Sequence, residues 1–551
     1  MSLRGGSVGQ VPTDTVLVAK AAFPKGSLAI RLRDELGELF HDDLFADLFP
    51  RRGCPGLPPS LLALVLVLQF VEGLSDRQAA DAVRGRIDWK YALSLELSDP
   101  GFDYSVLSEF RDRVVAGGAE ERLLESLLDR CRERGLLRAG GRQRTDSTHV
   151  MAATRELNRL ELAAETMRCA LNALAAACPG WLDEWIAPEW FDRYGRRAED
   201  YRLPRGVQAR TDLAAEFGSD GMELLQRVHG PLAPTWLRQL PAVQTLRQLW
   251  VQQFHIVDGA VRWRTAKDLP PGTARLTTPF DLQARCGLKR AGQRETVWHG
   301  YKAHLTETCE PDGPHLITHV TTTVASVPDI AVVDALHATL AERKLLPEVH
   351  VVDAGYVDGR LMAAARAEHG IDLLGPMKAS TSWQTSDSGY QLENFSIDWD
   401  GQQVTCPNGK GSSVWYSDRS PTGLPVIRVE FRNSDCKPCP ARSQCTTSKR
   451  GRRITLRPQI EHETIQRARA DQATSAWRDR YAVRHGIEGT ISQAVRSFGL
   501  RRSRYRGLAK TRLQHLLTAT AINLTRVDAW TVGTPFASTR TTPLLKLRPA
   551  A

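Results

Sequence analysis

Three acids occupy positions from which a chain can do metal-assisted chemistry: Asp146, Asp353 and Glu488. Asp146 lies in the strand-like segment QRTDSTHV (143–150) and is followed by Ser147, Thr148 and His149. Asp353 ends the apolar run of VHVVDAGY (349–356). In an open α/β sheet that strand end is where ligands are met, although either aspartate taken singly is equally a turn or helix-capping residue. Glu488 lies in YAVRHGIEGTISQAVRSFGL (481–500), which reads as helix. At helical spacing Tyr481, Arg484 and Glu488 fall within about 60° of one another, on one face. Gly486 and Gly489 flank the glutamate. Each glycine costs a helix about 1 kcal/mol relative to alanine, which points to close approach by a neighbouring strand or a substrate. Carboxylates from three distant segments can bind two hard cations, Mg²⁺ or Mn²⁺. Two such ions about 4 Å apart activate an attacking oxygen and stabilise a leaving one in phosphoryl transfer.

The elements that must position these acids follow from apolar periodicity. Residues 1–26 read as an N-terminal tail and residues 27–140 as a helical domain, with Ser75 a plausible N-cap before DRQAADAV. Bundles of short helices with tight turns can lay a helix in the major groove of DNA, and equally serve packing or assembly. From 297 to 376 the order is β-β-α-β-α-β, with residues 143–150 as an earlier strand. That order fits an α/β fold and matches the strand order of an RNase H-like catalytic core, whose segments would be 141–150, 295–377 and 456–530. Residues 151–294 read as a mainly helical insertion, 378–455 as a β-rich insertion carrying cysteines, and 531–551 as a flexible tail.

The chain has 551 residues, 42% apolar and 25% charged, as in a globular protein of several domains. Its net charge of +10 attracts polyanions, nucleic acid first among them. The longest apolar run, Leu61 to Val71, is too short to span a bilayer, and the N-terminus lacks an apolar signal core. A cytoplasmic protein is therefore expected, with no membrane partner and with its ten cysteines reduced. The positive charge concentrates beside Glu488. From Arg484 to Arg512 there are eight basic residues (Arg484, Arg496, Arg501, Arg502, Arg504, Arg506, Lys510 and Arg512) and that single acid. These residues, with Tyr481 and the more distant Lys302, are the candidate DNA contacts; phosphate contacts of this kind position a duplex without reading its sequence. Tyr505 either stacks on a base or packs. Cys406, Cys436, Cys439 and Cys445 form a set of four, with a C-x-x-C pair, that can hold a structural Zn²⁺; otherwise they are reduced thiols of the insertion. The lone His149 and His299 read as structural. There is no glycine-rich phosphate loop of the G-x-x-x-x-G-K-S/T type and so no sign of ATP use.

RTDSTHV, VDAGY and the stretch YAVRHGIEGTISQAVRSFGLRRSRYRGLAKTRLQHLLTATAINLTR resemble the DDE transposases of bacterial insertion sequences. LPPSLLALVLVLQFVEGLSDRQAADAV, VLSEFRDR, GYKAHLTETCE and the cysteine insertion resemble one subgroup of them. The resemblance covers about residues 30–530. It implies a catalytic triad of Asp146, Asp353 and Glu488 with two Mg²⁺ or Mn²⁺ ions, and cleavage and strand transfer at the terminal inverted repeats of the element. Double-stranded DNA at the element ends and target would be the partner, with a homodimer or higher assembly forming on it. Tyr481 and Arg484 match the family's tyrosine and arginine. The family's lysine seven residues after the glutamate is Val495 here, with Arg496 beside it. Two other readings remain: a catalytically inactive DNA-binding descendant, which an intact triad disfavours, and an RNase H-like structure-specific nuclease, which the N-terminal domain and insertions disfavour.

Overall fold

The computed structural model describes residues 3, 9–50, 52–54, 56–291, 293–379, 382–385, 389–535 and 547. The N-terminal region as far as Glu133 is helical, as its periodicity predicts. Helix α1 (Pro59–Glu72) ends at Gly73 in the left-handed conformation, and α2 (Asp76–Gly85) leaves at 110°. Ser75 accepts from the Gln78 amide while the Gln78 side chain caps Ser75 in return, a reciprocal cap that fixes the start of α2. The stretch expected to be a tail holds a further helix, Thr13–Ala22, whose Ala19 packs with Ile30 and Tyr91. Only Thr15 and Ala19 of it are buried, while Leu17 and Val18 are exposed, so one narrow stripe holds it to the rest.

The N-terminal helices do not form a separate unit. Helix α1 is apolar almost all round and must be covered on every side. Its Leu62, Val65 and Leu66 share one core with Leu305 and Val320 of the central sheet and with Leu516 and Ile522 near the C-terminus.

The central sheet has six strands: β1 (Arg142–Met151), β2 (Arg285–Ala291), β3 (Arg294–Thr308), β4 (Ile317–Val324), β5 (Val349–Val352) and β6 (Asp372–Leu374). β1 is antiparallel to β3, from Gln143 opposite Thr308 to Met151 opposite Gly300. On its other edge β1 runs parallel to β5, with Thr145 beside Val352, and β5 runs parallel to β6. β3 is long enough to pair with β2 along its first half and β4 along its second. The change of partner falls at Gly300, whose φ is +148° and where a Cβ would stand 2.3 Å from the Val150 carbonyl oxygen. Helices α3 (Val333–Glu342) and α4 (Gly359–His369) connect β4 to β5 and β5 to β6. Strand β2 was not expected. It is a sheet edge with little burial, and CGLKR carries none of the alternation that marks a strand.

Both insertions have cores of their own. The helical one packs Leu160, Met167, Trp190, Leu224 and Trp250 together, and ends where β2 begins. The β-rich one packs Phe395, Val404, Val429, Phe431, Ile454 and Leu456. Downstream, α5 (Gly486–Phe498) lies over β1, and the buried α6 (Leu508–Thr531) passes between sheet and N-terminal helices. The tail expected at 531–551 lies outside the described residues from Phe536 onward, apart from Leu547. Among the described residues no single helix is long and apolar enough to cross a membrane.

Candidate active site

The parallel register of β1 and β5 puts Thr145 beside Val352, so the next residues, Asp146 and Asp353, stand at the same level on neighbouring strands. Glu488 reaches them from the first turn of α5. All three line one cavity of about 540 Å³, together with Lys289, Lys302, Asp329, Arg484, Arg496 and Arg501. The acids meet through an arginine. Arg484 Nη2 donates to Asp146 Oδ2 at 2.7 Å and lies 3.9 Å from Asp353 Oδ2, while Nη1 donates to Glu488 Oε1 at 3.1 Å.

Exposure grades across the three. Asp146 is buried, Asp353 half-buried and Glu488 62% exposed at the side chain, so Glu488 is the acid free to move with its surroundings. Burial pushes the Asp146 carboxyl up to about 6, with Asp353 adding to the rise and Arg484 and the Ser147 amide opposing it. Burial works against the charge on Arg484, yet Asp146, Tyr481 and Asp353 hold its pKa above the ordinary value. Beneath the acids Tyr356 is fully buried, its hydroxyl bonded to His304 Nδ1 at 2.7 Å. Burial pushes His304 down to about 4, so this support is neutral.

The segment carrying Glu488 is not one helix. Helix Ser475–Ala482 ends, a 3₁₀ turn spans Val483–His485, and α5 begins at Gly486. The break has a cause in the sheet. Arg144 of β1 donates from Nη1 to the Val483 carbonyl at 2.6 Å, taking an acceptor that a continuous helix would use itself. A Cβ on Gly486 would stand 2.0 Å from that same Nη1, so the glycine admits the strand's arginine. Gly489 faces open space. Tyr481 therefore belongs to the preceding helix, stacked on Trp477 with ring centroids 4.7 Å apart.

A buried network that sequence reasoning missed locks α5 in place. Glu307 of β3, with no exposed surface, accepts from Arg144 at 2.7 Å, from Thr490 of α5 at 2.6 Å and from Arg526 of α6 at 2.7 Å. Asp329 was also missed. It lines the cavity and pairs with Lys302 Nζ at 2.8 Å, which also donates to the Val327 carbonyl. Lys302 is thus already engaged. Lys289, on the unforeseen edge strand, adds a charge to the wall.

The basic candidates divide. Arg496 and Arg501 line the cavity, and Arg501 Nε donates to Thr148 Oγ1 at 3.0 Å. Arg502 is exposed where the chain pairs with the end of β1 at Met151. Arg504 lies over the Phe70 ring at 4.7 Å and donates to the Leu74 carbonyl. Arg506 lies 5.7 Å from the Phe280 ring centroid. Lys510 pairs with Asp112 and Arg512 with Glu121, both at 2.6 Å. Tyr505 packs, with Arg111 over its ring at 5.1 Å. His149, its pKa lowered by burial, lies against Trp298 in the cavity wall; His299 lines a neighbouring cavity with Arg502.

In the β-rich module Cys406, Cys436, Cys439 and Cys445 line one cavity of about 230 Å³. The Lys410 amide donates to Cys406 Sγ at 3.3 Å and Asn408 to Cys439 Sγ at 3.1 Å. All four are free thiols. Among the described residues no group of three or more His, Cys, Asp or Glu side chains is arranged to hold a metal ion; at the carboxylates the Arg484 guanidinium stands between them.

Residues 405–527 match a family model described as a transposase DDE domain, and residues 17–113 match one described as a transposase domain (DUF772). The first includes Glu488 and the basic segment, and the second includes α1 and α2. No curated protein and no solved structure matches the chain. Two transposase family models thus match the chain, one toward each end, and together they support an insertion-sequence DDE transposase.

Proposed function

We propose that the protein cuts DNA at the terminal inverted repeats of its own element and joins the freed 3′ ends to target DNA, both by in-line phosphoryl transfer at one site. The observation that carries this is the convergence of Asp146, Asp353 and Glu488 on a single positive charge in a cavity with a basic wall. The antiparallel strands β1, β3 and β4, followed in sequence by the parallel β5 and β6, with Asp146 and Asp353 level on adjacent strands, support an RNase H-like core.

The donor set fits hard divalent cations, since three carboxylates already gather round a cation. Asp146, Asp353 and Glu488 would hold Mg²⁺ or Mn²⁺, which supplies activation of the attacking oxygen and charge stabilisation of the leaving one. Lys289, Arg496 and Arg501 face the phosphates flanking the cut. Tyr356 and the Glu307 network hold β1, β3 and α5 in register, which keeps the three carboxylates around one place. The partner is double-stranded DNA, bound by a homodimer or higher assembly. The cysteine cavity is proposed to close on one structural Zn²⁺, its sulfurs drawing inward around the ion.

Metal exchange tests the reading. EDTA is expected to stop cleavage of an element-end duplex, and Mg²⁺ or Mn²⁺ to restore it. Ca²⁺, larger and looser in coordination, is expected to support binding without cutting. Full cleavage in metal-free buffer would contradict it.

A further inference from the structure

Arg484 fills the point at which the three acids meet. Its guanidinium contacts Asp146 and Glu488 and lies within 3.9 Å of Asp353. The side chain is only 13% exposed, and Nε is buried without a hydrogen-bond partner among the described residues. Two ends of the fork are thus satisfied by acids and the third donor by nothing. A buried N–H left unpaired is destabilising. This position therefore persists because the acids need a counter-charge, and it does not satisfy the arginine fully.

A divalent ion at these carboxylates needs oxygen contacts of about 2.0–2.1 Å. The Asp146 oxygen that would supply one already accepts from Arg484. A guanidinium and a divalent ion at such close range repel strongly. The two cations compete for one place. Arg484 is anchored on the 3₁₀ turn that Arg144 pins to β1, so only its side chain is free to leave. The cavity it would swing into is walled by Lys289, Arg496 and Arg501, a phosphate-binding environment. A planar guanidinium pairs with phosphate oxygens through two parallel hydrogen bonds.

We propose that Arg484 is the resident cation of the metal-free site, exchanged for divalent ions when a DNA phosphate takes over its guanidinium. This rests on the carboxylate site proposed above. Its consequence is coupling: the free protein binds metal weakly, DNA strengthens metal binding, and metal strengthens DNA binding by the same factor. Ions are then recruited chiefly where a phosphate is already present.

The test is Mn²⁺ binding to the full chain, followed by electron paramagnetic resonance of free Mn²⁺, with and without a random-sequence duplex at low ionic strength. For the unaltered protein the duplex is expected to tighten Mn²⁺ binding about tenfold. Arg484→Gln is expected to bind Mn²⁺ about tenfold more tightly without DNA, and to gain little further from the duplex. Arg484→Lys, which keeps a cation but loses the fork, is expected to fall between, and serves should the glutamine variant fail to melt cooperatively. Mn²⁺ affinity of both variants equal to or below that of the unaltered protein without DNA would overturn the exchange. Asp353→Asn separates the two levels. If it loses Mn²⁺ while the Arg484 variants gain none, only the exchange fails; if it binds Mn²⁺ like the unaltered protein, the carboxylate site itself fails.

Discussion

At Asp146 the interests of folding and of chemistry diverge. The carboxyl is buried, and its pKa is pushed up to about 6 from 3.8. The folded, metal-free protein therefore binds more protons than the unfolded chain between these two values. Stability falls as pH rises through that window, and the loss is complete above about 6. A carboxyl displaced this far costs the folded state on the order of 3 kcal/mol once it is ionised. Asp146→Asn is accordingly expected to raise the melting temperature of the metal-free protein at pH 8, with a gain that shrinks as pH falls toward 4. Thermal scans at several pH values in EDTA measure this, and a gain independent of pH would show that the carboxyl is not strained. The three acids could be named from the sequence because Asp146 lies in a strand-like segment, Asp353 follows the end of an apolar strand and Glu488 lies on a glycine-flanked helix. Arg144, Glu307 and Arg526 could not. They come from β1, β3 and α6, no local pattern links them, and their meeting exists only once the sheet is closed. The pairing of Lys302 with Asp329 was hidden for the same reason.

At the scale of elements, the basic segment after Glu488 is a mixture that charge counting could not resolve. Arg504 and Arg506 lie over Phe70 and Phe280 and tie the segment to its neighbours. Replacing both by Ala is expected to lower stability by about 1–2 kcal/mol, the sum of two partly exposed cation–π contacts, and to shift the melting curve. Arg496→Ala with Arg501→Ala is expected to act on DNA instead, reducing the slope of log K against log[salt] by about 2. A salt titration beside a melt distinguishes the pairs, and identical behaviour of the two double variants would refute the division. The order of strands and helices was legible because buried strands and helix faces impose apolar periods. Strand β2 was not, because an edge strand imposes none, and the break before α5 was not, because Arg144 of another element causes it. The four cysteines are expected to bind one zinc per chain. Elemental analysis of purified protein finding none would leave them as reduced thiols.

Over the whole molecule, sequence reading separates a helical N-terminal domain from a catalytic core, whereas one apolar core runs through both. That continuity was invisible because α1 is apolar on almost every side, and nothing local says that α6, more than four hundred residues away, covers it. The transposase matches at residues 17–113 and 405–527 thus fall on segments that fold against each other. Helix α6 joins them and also carries Arg526, which reaches Glu307 and so helps set α5 under Glu488. The central claim, that Asp146, Asp353 and Glu488 form one metal-dependent DNA-cutting site, is tested most directly by single-turnover cleavage of a duplex bearing the element's end. The substitutions are Asp146→Asn, Asp353→Asn and Glu488→Gln, each of which removes ligand charge and little shape. The expected result is loss of strand cleavage in Mg²⁺ by roughly a thousandfold or more for each, as when an essential catalytic group is lost, with duplex binding kept within a few-fold. Cleavage near the unaltered rate by any one of them would remove that residue from the site and contradict the account.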